Sequence, residues 1–256
     1  MIECKIDGHV AVLTLNHPPA NTFTAAGLQS LLETVGELNR NRAVYAVIVT
    51  GSGEKFFSAG ADLKSFAQGD KVMARLMAQR FGAAFEALQE ARPVVIAAIN
   101  GYAMGGGLEC ALSCDMRIVE EHAQLALPEP SVGLLPAGCG TQTLPWLVGE
   151  GWAKRMILTN ERIDAATALA IGLVEQVVAR GRALEEAHKL AQRVATLSPR
   201  AVTFSKQLIH QARQGVPRGA ALAAERERFM DLFDFADQQE GVAAFLAKRS
   251  PVWKND

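Results

Sequence analysis

Short apolar runs and helical apolar spacings alternate over the first two thirds of the chain. Nearly continuous apolar runs, which are typical of buried strands, occur at residues 43–50, 94–99 and 116–119. Between the first two runs, residues 71–91 have the spacing of a long helix, and Thr24 can cap an earlier helix. Residues 2–6 and 10–15 have the pattern of a hairpin. Because strands and helices alternate, we expect crossover connections and largely parallel pairing, which define an α/β fold.

After residue 178 the pattern is helical only. One helix is predicted over residues 182–196, and Ser198 before Pro199 predicts a capped helix that runs to about residue 214. A further helix is predicted over residues 217–235, and Asp237 and Glu240 have the spacing of a capping box for a last helix. We therefore expect an α/β core at residues 1–195 and a helical region at residues 196–256.

The predicted helix over residues 217–235 ends in a cluster of large apolar side chains. The cluster consists of Phe229, Met230, Leu232, Phe233 and Phe235. These side chains either pack on the chain's own core or form a subunit interface.

Charge and cysteine content exclude several classes of protein. The net charge is −1 over 256 residues, with both signs mixed throughout, so we expect no binding to nucleic acid or to an anionic membrane. No targeting peptide and no apolar run of transmembrane length is evident. The cysteines lack metal-ligand spacing, so we expect no metal site. We interpret them as the buried thiols of a cytoplasmic protein. They are Cys4, Cys110, Cys114 and Cys139.

Three consecutive glycines follow the apolar run at residues 94–99. Gly105, Gly106 and Gly107 precede a helical pattern, so their N–H groups would lie at a helix N-terminus, where unpaired donors favour a developing negative charge. Glu109 lies in the first turn of the same helix. A glycine run alone is more often a tight strand-to-helix connection. The spacing of a phosphate-binding loop is absent.

A second segment of small residues follows the apolar run at residues 43–50. Ala59, Gly60 and Ala61 would expose backbone donors near the carboxyl end of a strand, where open α/β folds bind their ligands. Two N–H groups from two separate loops can hold one oxygen, which is the design of an oxyanion hole.

Glu129 stands between Pro128 and Pro130 in an apolar neighbourhood. The prolines predict a stiff, extended backbone, and the apolar surroundings predict a raised carboxyl pKa. An exposed loop glutamate is the alternative. Together with Glu109, Glu129 predicts two carboxylates that divide acid and base work.

These motifs resemble those of the crotonase (enoyl-CoA hydratase/isomerase) superfamily, and most closely those of an enoyl-CoA hydratase. The specific segments are residues 57–63, 100–109 and 128–129. The resemblance implies a crotonase-like spiral of ββα turns followed by a C-terminal helical trimerisation region. It also implies hydration of a 2-enoyl-CoA thioester to a 3-hydroxyacyl-CoA. In that reaction Ala61 and Gly106 hold the thioester oxygen, Glu109 activates water and Glu129 donates the α-proton.

The resemblance further implies a set of residues that bind coenzyme A as part of the substrate, with no prosthetic group. They are Ala20, Asn21, Ala59, Ala61, Asp62, Leu63, Lys64, Gly105, Gly106, Phe245 and Lys248. Phe245 and Lys248 are expected to reach the cofactor of a neighbouring subunit, since the family forms trimers that commonly pair into hexamers. Asp62 is expected to shape its loop rather than act as a base.

The chain departs from the family pattern at residues 136–144. Cys139 replaces a glycine and Thr143 replaces an arginine of the usual Pro-Gly-Ala-Gly-Gly-Thr-Gln-Arg-Leu. Residues 17–22 resemble some enoyl-CoA isomerases as much as hydratases, so a Δ3-Δ2 isomerase or another acyl-CoA lyase is the alternative. A non-catalytic acyl-CoA-binding or RNA-binding relative is disfavoured by the two glutamates and the near-zero net charge.

Overall fold

The computed structural model describes residues 2–255. Its strands are β1 (Ile2–Asp7), β2 (Val10–Leu15), β3 (Ala46–Gly51), β4 (Phe56–Ser58), β5 (Val94–Ile99), β6 (Tyr102–Met104), β7 (Met116–Glu120), β8 (Gln124–Ala126), β9 (Ile163–Asp164) and β10 (Gln176–Val178). Its α-helices are α1 (Ala25–Arg40), α2 (Lys71–Gln89), α3 (Gly106–Leu112), α4 (Gly140–Leu158), α5 (Ala165–Ala170), α6 (Ala183–Ala195), α7 (Pro199–Gln211), α8 (Arg218–Asp231) and α9 (Ala236–Leu246). Short 3-10 helices occur at Leu63–Phe66, Glu129–Val132 and Leu232–Asp234.

The strands form two sheets that the chain visits in turn. One sheet has the order β1-β2-β3-β5-β7-β10, and the other has the order β4-β6-β8-β9. Within them, only β1 with β2 and β8 with β9 are antiparallel. Three successive turns each contribute one strand to each sheet and then a helix: β3-β4-α2, β5-β6-α3 and β7-β8-α4. This arrangement confirms the predicted spiral of ββα turns.

Helices cover both faces of the six-stranded sheet, which explains the apolar runs of its central strands. Every residue of β3 and β5 is buried. One face packs against α1 and α2 through side chains such as Leu31 and Phe85. The other face packs against Ala183, Ala187 and Ala191, which recur every four residues along α6. A sheet buried on both sides requires apolar residues on both sides of each strand.

The predicted helix starts are confirmed by their caps. The Thr24 side chain accepts a hydrogen bond from Gly27 N at 3.1 Å, and the Ser198 side chain accepts one from Ala201 N at 3.3 Å. Pro199 is the first residue of α7, which ends at residue 211 rather than 214. These short polar side chains replace acceptors that the first helical turn lacks.

The predicted capping box at Asp237 is wrong. Asp237 lies inside α9, is buried, and accepts hydrogen bonds from Lys254 N at 2.6 Å and Asn255 N at 3.2 Å. Glu240 pairs with Arg249 instead. The C-terminal segment therefore folds back and uses both carboxylates, which local spacing could not reveal.

The prediction of buried cysteines is wrong for Cys4. Cys110 and Cys114 are buried and Cys139 is partly buried, but Cys4 is exposed because it lies on the edge strand β1. Within residues 2–255, no group of three or more His, Cys, Asp or Glu side chains is placed to hold a metal ion. Nor does any helix in that range combine the length and apolarity needed to cross a membrane. The expected boundary at residues 195/196 falls between α6 and α7, and the division into two regions stays a prediction.

Candidate active site

Eight of the predicted site residues line one cavity of about 750 Å³. They are Ala59, Ala61, Asp62, Leu63, Gly105, Gly106, Glu109 and Glu129. The loops after β4, β6 and β8 bring them together at the carboxyl ends of parallel strands, as expected for a ligand site in this class of fold. The remaining wall is largely apolar and includes Phe66, Ala78, Phe81, Val132, Leu134 and Leu135.

The two glycine-containing loops touch through their backbones. A Cβ on Gly60 would lie 2.6 Å from Met104 O and 2.9 Å from Gly106 N, and Gly60 has φ +84°. Both facts require glycine at this position, because other residues resist that φ and would clash. The close approach places Ala61 beside the start of α3.

The backbone N–H groups of Ala61 and Gly106 are left out of the regular hydrogen bonding around them. The β-bridge between Phe23 and Ala61 consists of hydrogen bonds from Phe23 N to Gly60 O and from Asp62 N to Phe23 O. These bonds involve the residues on either side of Ala61, and the Ala61 N–H takes no part in them. Gly106 begins α3, whose first internal bond runs from Glu109 N to Gly105 O, so the Gly106 N–H has no acceptor within the helix. Two such donors in one cavity are suited to an oxyanion.

Asn21 fixes the loop that carries Ala59 and Ala61. Its side-chain amide donates to the carbonyl oxygens of Ser52 and Phe56, each at 2.9 Å, and the backbone carbonyl oxygen of Asn21 accepts from Ser58 Oγ at 2.7 Å. Asn21 also has φ +53°, a conformation in which asparagine is common among non-glycine residues. Its side chain thus has an anchoring role that sequence reasoning missed.

Glu109 is buried and held by one of its two oxygens. The N–H groups of Gly138, Cys139 and Gly140 donate to Oε1 at 2.9, 2.9 and 2.8 Å. Burial raises the pKa of Glu109, and these three backbone hydrogen bonds act in the opposite direction. Because all three donors bind Oε1, Oε2 is the oxygen that Glu109 offers to the cavity.

Glu129 has a different environment in the same cavity. Its Oε2 is buried without a hydrogen-bond partner among residues 2–255. Burial, together with the nearby charge of Glu109, raises the pKa of Glu129 to about 7. The predicted extended backbone is wrong: Glu129 starts a 3-10 helix, because Pro128 adopts φ −86° and ψ 10°. The predicted rise in pKa agrees with this burial.

The three N–H donors to Glu109 depend on two glycines that sequence reasoning did not single out. A Cβ on Gly138 would lie 2.6 Å from Phe85 Cδ2, and a Cβ on Gly140 would lie 2.8 Å from Pro136 Cβ and 3.1 Å from Glu109 Oε1. A Gly-x-Gly segment before a helix was the available signal, since successive N–H groups there form an anion-binding concavity.

The other predicted coenzyme A residues do not line the cavity of their own chain. Lys64 is exposed on the 3-10 helix after Asp62, and Phe245 and Lys248 are exposed at the end of α9. Ala20 contributes its carbonyl to Ala59 N at 2.9 Å. The roles of these residues and of Asn21 toward coenzyme A stay predictions.

The spiral of ββα turns, with two unlike carboxylates in the cavity at the ends of its parallel strands, identifies the class of protein as an enzyme of the crotonase fold. The chain belongs to the enoyl-CoA hydratase/isomerase family, whose sequence profile matches residues 5–256.

Individual relatives agree with this assignment. The chain is 39% identical to the short-chain-enoyl-CoA hydratase of Clostridium acetobutylicum over 244 residues, which cover 95% of this chain and 93% of that protein. It is 39% identical to the crotonyl-CoA hydratase of Syntrophomonas wolfei over 245 residues, which cover 94% of this chain and 92% of that protein.

Solved structures have the same fold. Pseudomonas aeruginosa DspI is 61% identical, with a TM-score of 0.96 over 99% of this chain and 96% of that chain. An enoyl-CoA hydratase from Bacillus anthracis is 37% identical, with a TM-score of 0.96 over 100% of this chain and 99% of that chain.

Proposed function

We propose that the protein hydrates the double bond of a 2-enoyl-CoA thioester to give a 3-hydroxyacyl-CoA. The observation that carries this proposal is the pair of unlike carboxylates, Glu109 and Glu129, in the cavity that also holds the Ala61 and Gly106 amides. Relatives named as enoyl-CoA and crotonyl-CoA hydratases support it.

The proposed reaction begins with the thioester oxygen between the N–H groups of Ala61 and Gly106. Oε2 of Glu109 takes a proton from water, and the resulting oxygen nucleophile adds to the β-carbon. The electron pair of the double bond moves toward the thioester oxygen, so an enolate forms and its charge is stabilised by the two donors. One such donor is typically worth about 3–4 kcal/mol in the transition state.

Glu129 then supplies the α-proton. A carboxyl with a pKa of about 7 holds its proton in a large fraction of molecules near neutral pH and can release it to carbon. Glu109, whose Oε1 accepts three N–H donors, is better suited to carry the negative charge. The two environments therefore separate a base from an acid, as two-carboxylate enzymes require.

A double-bond isomerase moves one proton between two carbons of the same acyl chain and can operate with a single glutamate. The second carboxylate in the cavity therefore favours hydration over isomerisation.

We also propose that the protein acts as a homotrimer or a dimer of trimers, with coenzyme A held between subunits. Phe229, Met230 and Phe233 are 63%, 61% and 55% exposed on one protomer, more apolar surface than a free helical end normally carries. Phe245 is 83% exposed and lies outside its own chain's cavity, as expected of a residue that completes the site of a neighbour.

A spectrophotometric screen of 2-enoyl-CoA thioesters of several chain lengths tests the function. Hydration removes the conjugated double bond, so its ultraviolet absorbance should fall and 3-hydroxyacyl-CoA should appear by mass spectrometry. Conversion of a 3-enoyl-CoA to a 2-enoyl-CoA without hydration would contradict the proposal and support an isomerase.

A further inference from the structure

A second cavity, of about 810 Å³, lies away from the candidate active site and shares none of its lining residues. It forms where α7 passes the first residues of β5 and β7, Val94 and Met116, and where Trp253 of the C-terminal segment closes one side. The Trp253 indole is fixed there by a hydrogen bond to Thr196 O at 2.9 Å. A volume of this size falls within the range of small-molecule sites.

One wall of this cavity is a face of α7 on which apolar and polar side chains alternate and which the described chain covers only in part. Ser198, Val202, Ser205, Ile209 and Arg213 all line the cavity, and their spacing of three or four residues places them along one side of α7, from its N-cap Ser198 to the turn that follows the helix. Ile209 is 71% exposed although it lies on this lining face. A ligand with an aliphatic body would remove the apolar surface of Ile209 and Val202 from water.

The charges around the cavity leave one cation without a carboxylate. Lys206 pairs with Asp115 at 2.7 Å, and Arg117 pairs with Glu175 at 2.6 Å. Arg213 hydrogen-bonds to His210, through Nη2 and Nδ1 at 3.2 Å, and in residues 2–255 no carboxylate lies within ion-pair distance of it. Burial and the neighbouring cations Arg213 and Lys206 lower the pKa of His210, while Glu90 and Asp115 act in the opposite direction. The net effect is a lowered pKa, so the neutral form of the ring is favoured.

We propose that this cavity binds an aliphatic monocarboxylate, with the carboxylate on the Arg213 guanidinium and the alkyl chain against Ile209 and Met116. The guanidinium supplies paired N–H donors in the geometry that a carboxylate accepts. The apolar lining disfavours a ligand with several charges, because only one cation lacks a counter-charge.

Calorimetric titration of octanoate into the intact, assembled wild-type protein tests the proposal. Octanoate should bind, whereas octan-1-ol and octylamine, which share the chain length but lack the negative charge, should bind at least tenfold more weakly. Arg213→Gln should weaken octanoate binding by tenfold or more. Arg226→Gln, which removes an exposed arginine of α8 outside the cavity, should leave binding unchanged.

A cavity-filling variant shows where the ligand binds. Ser205 lines the cavity and is exposed, so Ser205→Trp can fill the space without entering the core, and it should abolish octanoate binding. Both Arg213→Gln and Ser205→Trp should keep wild-type hydration of 2-enoyl-CoA. Bromooctanoate should quench Trp253 fluorescence, and Trp253→Phe should lose that quenching.

Two results would overturn the proposal. Octanoate binding that is equal in wild type, Arg213→Gln and Ser205→Trp would place the ligand elsewhere, for example in the candidate active site. Absence of octanoate binding to the assembled protein would mean that another copy of the chain or solvent occupies the cavity.

Discussion

Gly60 and Gly106 lie so close together that a Cβ on Gly60 would be 2.9 Å from the amide nitrogen of Gly106. The contact joins the loop after β4 to the start of α3, and it brings the Ala61 amide beside the Gly106 amide. A methyl group at residue 60 would have to separate the two loops. The proposed oxyanion hole therefore depends on the missing side chain of a residue that donates nothing to it.

Replacing Gly60 by Ala should reduce hydration far more than it reduces folding. The methyl group meets backbone atoms on the facing loop, which cannot rotate away as a side chain could. Because the two donors would then be misplaced, we expect kcat to fall by about a hundredfold or more. Enoyl-CoA turnover and circular dichroism of the same sample measure the two effects.

Gly53→Ala is the matched control for backbone strain. Gly53 also has a positive φ, +79°, but a Cβ there would meet nothing within 4 Å. Both variants carry the strain of an alanine in this conformation, and only Gly60→Ala separates the loops. Equal activity of the two variants would contradict the oxyanion-hole assignment.

Glutamine at residue 109 or 129 should remove proton transfer while it preserves shape. The amide oxygen of a glutamine at residue 109 can still accept the N–H groups of Gly138, Cys139 and Gly140, so we expect Glu109→Gln to fold normally. Each variant should lose about a hundredfold or more in turnover, with a much smaller change in KM. Steady-state kinetics check this, and near wild-type hydration by both variants would refute the proposed roles.

Much of the fold is predictable because burial on both sides of a sheet leaves a simple apolar pattern. The apolar run at Val94–Ile99 predicts a strand at its observed bounds, and Thr24 and Ser198 mark helix starts by local chemistry alone. The loops with Ala61 and Gly106 are recognisable because small residues directly after buried strands leave backbone N–H groups accessible to a ligand.

The parts that could not be predicted depend on contacts between distant segments. Asp237 caps nothing because the C-terminal residues 254 and 255 reach its carboxylate from outside the helix. Gly138 and Gly140 act on Glu109 across about thirty residues of chain, so no local pattern links them. Asn21 is a candidate from the sequence, but its amide acts on a loop that lies more than thirty residues ahead.

A charge in the exposed apolar cluster should disrupt assembly. Phe229 and Phe233 pack edge-to-face at 5.6 Å and remain more than half exposed on a single protomer. Phe229→Glu would place a charge in a buried interface, so we expect dissociation of the assembly. Light scattering at micromolar concentration measures the mass of each species.

Val72→Glu is the control for that variant, because Val72 is 77% exposed in the first turn of α2, where an acidic residue is tolerated. The control should keep the mass of the wild-type assembly. A monomeric wild-type protein, or an unchanged mass for Phe229→Glu, would contradict the proposed interface.

The pKa of Glu129 makes the stability of the protein depend on pH in a direction that can be measured. Burial raises this pKa to about 7 in the folded chain, above the ordinary value of about 4.3 for an unfolded glutamate. The folded state therefore binds the Glu129 proton more tightly than the unfolded state does. This preferential binding stabilises the folded state, and its contribution is complete below about pH 4.3. The stabilisation is lost as the pH rises to about 7, and the total change is about 4 kcal/mol.

Glu129→Gln has no proton to lose, so its stability relative to wild type should increase between about pH 5 and about pH 8. Urea unfolding of both proteins across this range measures the difference, in which the titration of groups that do not interact with Glu129 cancels. Glu150→Gln is the control, since hydrogen bonding to Lys154 lowers the pKa of the exposed Glu150 and keeps it ionised over the whole range. Its stability difference from wild type should stay flat. Parallel curves for wild type and Glu129→Gln would show that Glu129 does not hold a proton in the folded enzyme, and the assignment of Glu129 as the acid would then fail.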